Sequence, residues 1–105
     1  MDKRFFVELT EWARIRVHLS LVKGRVRDLV IQLEVWRGEW IPVVRYDTAH
    51  GVPHRDFLRR RGPPEKTWLG HSPLSGFVNV ALDDLREHWR QYLYEAGYQE
   101  EEFEA

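Results

Sequence analysis

The strongest constraint on this chain is a strict alternation that begins at Arg14. Ile15, Val17, Leu19 and Leu21 fall on one side, and Arg16, His18 and Ser20 fall on the other. Successive side chains of a strand point to opposite faces, so this run is a half-buried β-strand. Lys23-Gly24 then supplies a residue that accepts positive φ, as a tight hairpin requires. Residues 25–36 place Leu29, Ile31, Leu33 and Val35 on one face, with Gln32 and Glu34 opposite. After a second turn at Arg37-Gly38-Glu39 comes Trp40-Ile41-Pro42-Val43-Val44-Arg45-Tyr46. Pro42 has no N–H to give a ladder, which calls for an edge or a bulge there. Strands joined by such short turns form an antiparallel meander, because parallel neighbours need long crossovers. Phe5-Phe6-Val7-Glu8-Leu9 forms either one more strand or a segment lying across the sheet.

Downstream, residues 54–58 and 66–69 read as a hairpin, with Arg59-Arg60-Arg61-Gly62-Pro63-Pro64 as its basic, solvent-facing tip. The period then changes. Val78, Ala81, Leu82, Leu85, Trp89, Tyr92, Leu93 and Ala96 recur at helical spacing and form an apolar stripe. Asp83 and Asp84 early, with Arg86 and Arg90 later, suit the helix dipole. Ser75 or Asn79 is the expected cap and Gly97 the stop. The expected fold class is α+β: an antiparallel β-meander of four to five strands with one C-terminal helix packed on a face. A single domain over residues 1–98 is expected, followed by a disordered acidic tail over 99–105.

With 105 residues the chain has material for one modest core, helped by five Trp, four Tyr and five Phe. Sixteen basic and seventeen acidic side chains nearly cancel, which argues against a protein that coats nucleic acid or a membrane surface and leaves local patches open. The absence of cysteine excludes thiolate metal sites and favours a reducing, cytoplasmic setting. Glu8 and Glu11 interrupt any leader-like apolar run, and nothing reaches the roughly 20 apolar residues of a membrane span.

The chemically suggestive segment is Tyr46-Asp47-Thr48-Ala49-His50-Gly51-Val52-Pro53-His54-Arg55-Asp56. In an extended chain His50, His54 and Asp56 share a face, with Arg55 opposite beside Phe57 and Arg59. Gly51 and Pro53 can break that alternation. Two imidazoles at one site suit general acid–base catalysis, with His50, His54, Asp56 and Tyr46 as the catalytic set. Arg45, Arg55, Arg59, Arg60, Arg61 and Lys66 are the candidate phosphate-binding cations. Such parts meet the needs of RNA cleavage through the ribose 2′-hydroxyl without a metal or other cofactor. The alternatives are a metal held by His50, His54 and Asp56, anion binding without chemistry, and a purely structural turn in which the histidines satisfy nearby carbonyls. Phe57 and Trp68, interleaved with the basic run, offer stacking surfaces for single-stranded bases; the alternative is a solvated hairpin tip that keeps an exposed edge from pairing with other chains. His18, His71 and His88 are assigned ordinary structural roles, and the five tryptophans core and interface positions.

Residues 43–56, with Glu65-Lys66-Thr67 after them, resemble small bacterial proteins sharing a Tyr-Asp-x-Ala-His-Gly-x-x-His-Arg-Asp core followed by a Lys-containing strand. The same stretch is more loosely similar to the TumE-type toxins of toxin–antitoxin pairs. The resemblance implies a bacterial origin and a toxin-like, RNA-directed role, with RNA and an antitoxin-like protein as partners. The competing expectation is a non-enzymatic interaction module, homodimeric through sheet edges or exposed Trp side chains.

Overall fold

A computed structural model of the protein describes residues 1–48, 51–70 and 73–104. Among the described residues six antiparallel strands run in chain order across one sheet: β1 (Asp2–Thr10), β2 (Ala13–Val22), β3 (Arg25–Trp36), β4 (Trp40–Asp47), β5 (His54–Phe57) and β6 (Glu65–Trp68). The helix α1 (Leu74–Ala96) follows, then a 3₁₀ turn at Glu100–Glu102. The fold is therefore the expected α+β meander, with six strands rather than four to five. The undecided N-terminal segment is a full strand, paired from Asp2↔Ser20 to Thr10↔Ala13. Its weak alternation hides it, because an edge strand buries only part of one face.

The turns follow the sequence closely. Lys23 and Gly24 take φ of 52° and 75°, the double positive φ of the hairpin turn that matches strand twist. Pro42 sits beside a bulge: Leu33 pairs with Val44 but Glu34 with Pro42, leaving Val43 as the extra residue. β5 pairs with β4 only from Val44 to Asp47. The missing N–H of Pro42 thus falls where β4 has no ladder on that side.

The apolar face of the sheet carries Ile15 and Val17 from β2, Ile31, Leu33 and Val35 from β3, and Val44 from β4, all buried. Helix α1 lays Phe77, Ala81, Leu85, Trp89 and Leu93 onto it. Each fully buried large side chain contributes about 1.5–3 kcal/mol, which makes this layer the main source of stability. The helix starts earlier than the caps predict. Pro73 is its N-cap, without a side-chain hydrogen bond, and no acidic residue lies in the first turn. Asp83 and Asp84 fall mid-helix, beyond reach of the terminal dipole. Gly97 ends the helix with φ 101°, its N–H returning to the Leu93 and Tyr94 carbonyls.

The acidic tail, expected to be disordered, folds back in the structure. Gln99 and Glu102 form a capping box, and Phe103 stacks on Trp12 with ring centroids 4.7 Å apart. Among the described residues no helix is long and apolar enough to cross a membrane.

Candidate functional site

The helix covers only one face of the sheet. On the other, antiparallel registry lines up side chains in rows perpendicular to the strands. One row runs Arg4, His18, Val30, Asp47, His54 and Trp68 from β1 to β6. The next runs Phe6, Arg16, Gln32, Arg45, Asp56 and Lys66. Strand alternation thus gathers polar groups from all six strands onto a surface without a helix.

His54 lies at the centre of the first row and is only 1% exposed. Its Nε2 is 2.8 Å from Asp47 Oδ1 and 3.5 Å from Asp56 Oδ2. Its Nδ1 is 3.2 Å from the Val52 carbonyl oxygen. Trp68 packs beside the imidazole at 5.3 Å between ring centroids. Lys66 Nζ reaches the other Asp56 oxygen, Oδ1, at 3.9 Å. Asp47 also lines a trough of about 370 Å³ together with His18, Ser20, Asp28, Leu29, Val30 and Thr48. Thr48 Oγ1 accepts the Leu29 N–H at 3.1 Å and donates to Asp28 at 3.3 Å, which holds the end of β4 against β3.

The second row is knitted through a buried carboxylate. Glu34 takes hydrogen bonds from Arg14 Nε (2.8 Å), Arg16 Nε (3.2 Å) and Gln32 Nε2 (2.6 Å). Arg45 Nε in turn donates to Gln32 Oε1 at 2.7 Å. The Arg14 guanidinium lies between Phe6 and Trp40, 4.0 Å and 3.9 Å from the two ring centroids. These contacts hold the arginines in fixed positions on the open face.

A family profile described as a domain of unknown function, DUF7718, matches residues 1–104. The chain belongs to this family. No curated protein and no solved structure matches it. Within this DUF7718 chain the match spans both rows and the helix alike, so the open face and the core are parts of one family unit.

The same pair of strands sends its alternate residues through to the helix side. Tyr46 and Arg55, paired across β4 and β5, face α1. Tyr46 and Tyr92 both donate to Asp84 Oδ2 at 2.6 Å. Arg55 Nη1 donates to the Tyr92 hydroxyl at 3.1 Å, and His88 Nδ1 lies 3.1 Å from Asp84 Oδ1. Burial, reinforced by the Asp84 carboxylate, raises the Tyr46 phenol well above the usual tyrosine range and pushes Tyr92 up to about 12. Burial opposes the charge on Arg55, but hydrogen bonding to Tyr46 and the field of Tyr92, Tyr46 and Asp84 outweigh it and raise its pKa. Both phenols therefore stay protonated as donors at neutral pH, and this cluster ties helix to sheet.

The structure divides the residues singled out from the sequence. His54 and Asp56 share a face as alternation requires, and Arg55 faces the other way beside Phe57. His50 lies outside the described residues, as does His71. Tyr46 is on the opposite face from His54 and so does not join its cluster, because adjacent strand residues cannot point the same way. Arg45 and Lys66 stand on the open face. The basic tip is internally paired: Arg59 Nη2 meets Glu65 at 2.7 Å and Arg60 Nη1 meets Glu102 at 2.7 Å. Arg61 is exposed at that tip. Sequence reasoning missed Asp47 as the partner of His54, and Gln32 and Glu34 as the anchors of the arginines. Asp47's signal was available, since Asp47 and His54 bracket the loop between two pairing strands.

Proposed function

We propose that this protein is a toxin-like, RNA-directed protein that holds a single strand of RNA along the helix-free face of its sheet. The observation that carries this reading is the second row, in which Arg16, Arg45 and Lys66 stand on alternate strands with Asp56 the only carboxylate among them. With strands about 4.8 Å apart, neighbouring cations are about 10 Å apart, a track that a flexible phosphate backbone can follow. Phe6 and Trp68, 53% and 57% exposed, flank the track and offer ring faces for stacking bases. That row sets three cations against one carboxylate in a chain of net charge −1. The Asp47–His54–Asp56 cluster adjoins the track and is where cleavage through the ribose 2′-hydroxyl would take place.

Fluorescence anisotropy with a labelled single-stranded RNA tests the reading, with the matching DNA as control. Replacing Arg45 and Lys66 together by Ala is expected to weaken binding about tenfold. It should also reduce the slope of log affinity against log salt by about 1.4, some 0.7 per lost phosphate contact. Trp68→Ala should weaken binding by about 1–3 kcal/mol if a base stacks there. Unchanged affinity in both variants would overturn the proposal. Incubating total RNA with wild type and with Asp56→Asn tests the cleavage step, and equal patterns from both remove the cluster from it. If the chain ignores RNA but its mass in solution rises with concentration, the interaction-module reading takes its place.

A further inference from the structure

We propose that this chain forms a two-fold symmetric dimer in which β1 of one copy pairs antiparallel with β1 of a second, centred on Phe6. The inference goes beyond the RNA reading and does not rest on it.

Among the described residues the sheet has two free edges, β1 and β6, and they differ. Natural edges are guarded against pairing by shortness, proline, a bulge or an inward-pointing charge. β6 is guarded by shortness, with only the four residues Glu65–Trp68. β1 offers nine residues, Asp2–Thr10, without proline or glycine. Its one irregularity falls at the far end, between Glu8 and Thr10. The single charge on its helix side is Lys3, near the beginning of the strand rather than at its middle.

The backbone of β1 has the phase that such pairing needs. Met1 N donates to the Leu21 carbonyl at 2.9 Å, and Leu21 N donates to the Met1 carbonyl at 2.8 Å. Antiparallel ladders alternate pairs that exchange both bonds with pairs that exchange none. The odd-numbered residues of β1 therefore turn their N–H and C=O groups toward β2. Asp2, Arg4, Phe6 and Glu8 turn theirs outward, where a second strand can take them up.

A second copy must then set even residues against even ones, and charge selects among the few registers left. Centred on Phe6, Arg4 opposes the partner's Glu8, Glu8 opposes the partner's Arg4, and the two Phe6 rings meet at the axis. Moving the centre to Phe5 sets Asp2 against the partner's Glu8, and moving it to Arg4 sets two guanidinium groups against each other. Moving it to Val7 leaves Phe6 against a carboxylate. Opposite charges directly across a ladder are favourable and like charges unfavourable, so the Phe6-centred register wins. Both charges are free to take part. Glu8 is exposed and has no ion pair among the described residues, and Arg4 meets Asp2 only at 3.6 Å.

The apolar side chains agree with that register. Helix α1 packs on β3 and β4, so Phe5 and Val7 touch the core but remain partly exposed at the edge. Phe5 would oppose the partner's Val7 in a non-hydrogen-bonded pair, the closer kind, with Cα atoms about 4.5 Å apart. Phe6, a large apolar side chain left half in solvent, gains a ring partner at the axis. Phe6 also heads the row that contains Arg16, Arg45 and Lys66. The rows of the two copies therefore meet end to end, and the track of cations continues from one open face to the other.

Sedimentation equilibrium of the full-length chain without RNA, from about 1 µM to 1 mM, tests the proposal. The mass is expected to rise to that of two chains and stop there, since a two-fold pairing occupies both β1 edges. Arg4→Glu and Glu8→Arg should each weaken association about tenfold, because each turns both charge pairs repulsive, and the double variant should restore it. Phe6→Pro removes an outward N–H while sparing the ladder to β2, and should stay monomeric with an unchanged circular dichroism spectrum. Amide hydrogen exchange reads the same event without substitution. The Arg4, Phe6 and Glu8 amides should gain protection as concentration rises, while those of Phe5 and Val7 are protected throughout. A wild type that is monomeric over the whole range would overturn the proposal. So would a dimer whose Arg4, Phe6 and Glu8 amides exchange freely, or a mass that climbs past two chains, as pairing of β1 with the partner's β6 would give. Neither Arg45 nor Lys66 lies on β1, so the RNA test and this one fail separately.

Discussion

Tyr46 and Asp47 are neighbours in the chain, as are His54, Arg55 and Asp56, yet they build two different clusters back to back through the sheet. On the helix side Tyr46, Arg55, Tyr92 and Asp84 form a chain of donors ending on one carboxylate, closed over by α1. On the open side Asp47, His54 and Asp56 converge with no helix above them, beside a trough and a row of cations. The first cluster spends its hydrogen-bonding capacity inside the fold, joining elements 38 residues apart in the chain. The second lies on the face without a helix, with His54 and Asp47 buried and Asp56 partly exposed. One strongly polar motif can therefore supply both the helix-packed face and the open face of the sheet, because a strand distributes its residues between two faces.

The comparison breaks most readily at Asp84. Replacing it by Ala leaves the Tyr46 and Tyr92 hydroxyls without their acceptor beside a partly buried Arg55, and the expected loss is about 2–4 kcal/mol in urea unfolding. RNA affinity of the folded fraction should not change. A loss of affinity larger than the loss of folded protein would show that the two clusters are not separate.

A smaller effect sharpens the division from the other side. The Arg45→Ala, Lys66→Ala pair, expected to cost about tenfold in RNA affinity, should leave unfolding stability within about 1 kcal/mol of wild type, since both side chains reach solvent. A larger stability loss would mean that the open-face row is itself structural.

Next in size is Tyr92→Phe, with an expected cost of about 1–2 kcal/mol for the two hydrogen bonds its hydroxyl makes, to Asp84 and from Arg55. The pH dependence carries the diagnostic sign. The Tyr92 phenol ionises at 10.0 in the unfolded chain and is pushed up to about 12 in the fold. Its contribution is therefore complete below pH 10 and is lost as pH rises from 10 through 12, where the unfolded state has already released the proton. Urea midpoints at pH 9 and pH 11.5 should fall less in Tyr92→Phe than in wild type.

The smallest effect is at the tail. Glu102 accepts the Gln99 N–H and faces Arg60, and these hold its carboxyl below the usual carboxylate range. Its contribution is present above that range and disappears as pH falls through the lowered value, so Glu102→Gln should flatten the acid side of the stability profile only slightly.

Much of the fold is legible in local pattern. Ile15, Val17 and Leu19 announce β2, Lys23-Gly24 its turn, and the stripe from Ala81 to Ala96 the helix with its stop at Gly97. These are properties of residues close in sequence. The strand β1 is harder to see because an edge strand alternates weakly. The helix start escapes the cap rules because Pro73 opens it without a side-chain hydrogen bond. At the site, the pairing of His54 with Asp56 follows from even spacing alone. The partnership with Asp47 requires knowing that β4 and β5 are joined in register, and the roles of Asp84 and Tyr92 require knowing which face the helix covers.

The sequence by itself determined an α+β chain with alternating strands, a C-terminal amphipathic helix and a polar segment from Tyr46 to Asp56. Tertiary structure decided how that segment is divided. Strand pairing placed Asp47 against His54, and the helix closed over only one side of the sheet. Alternation fixes which residues oppose each other on a strand, but only docking decides which side becomes core and which is left facing solvent.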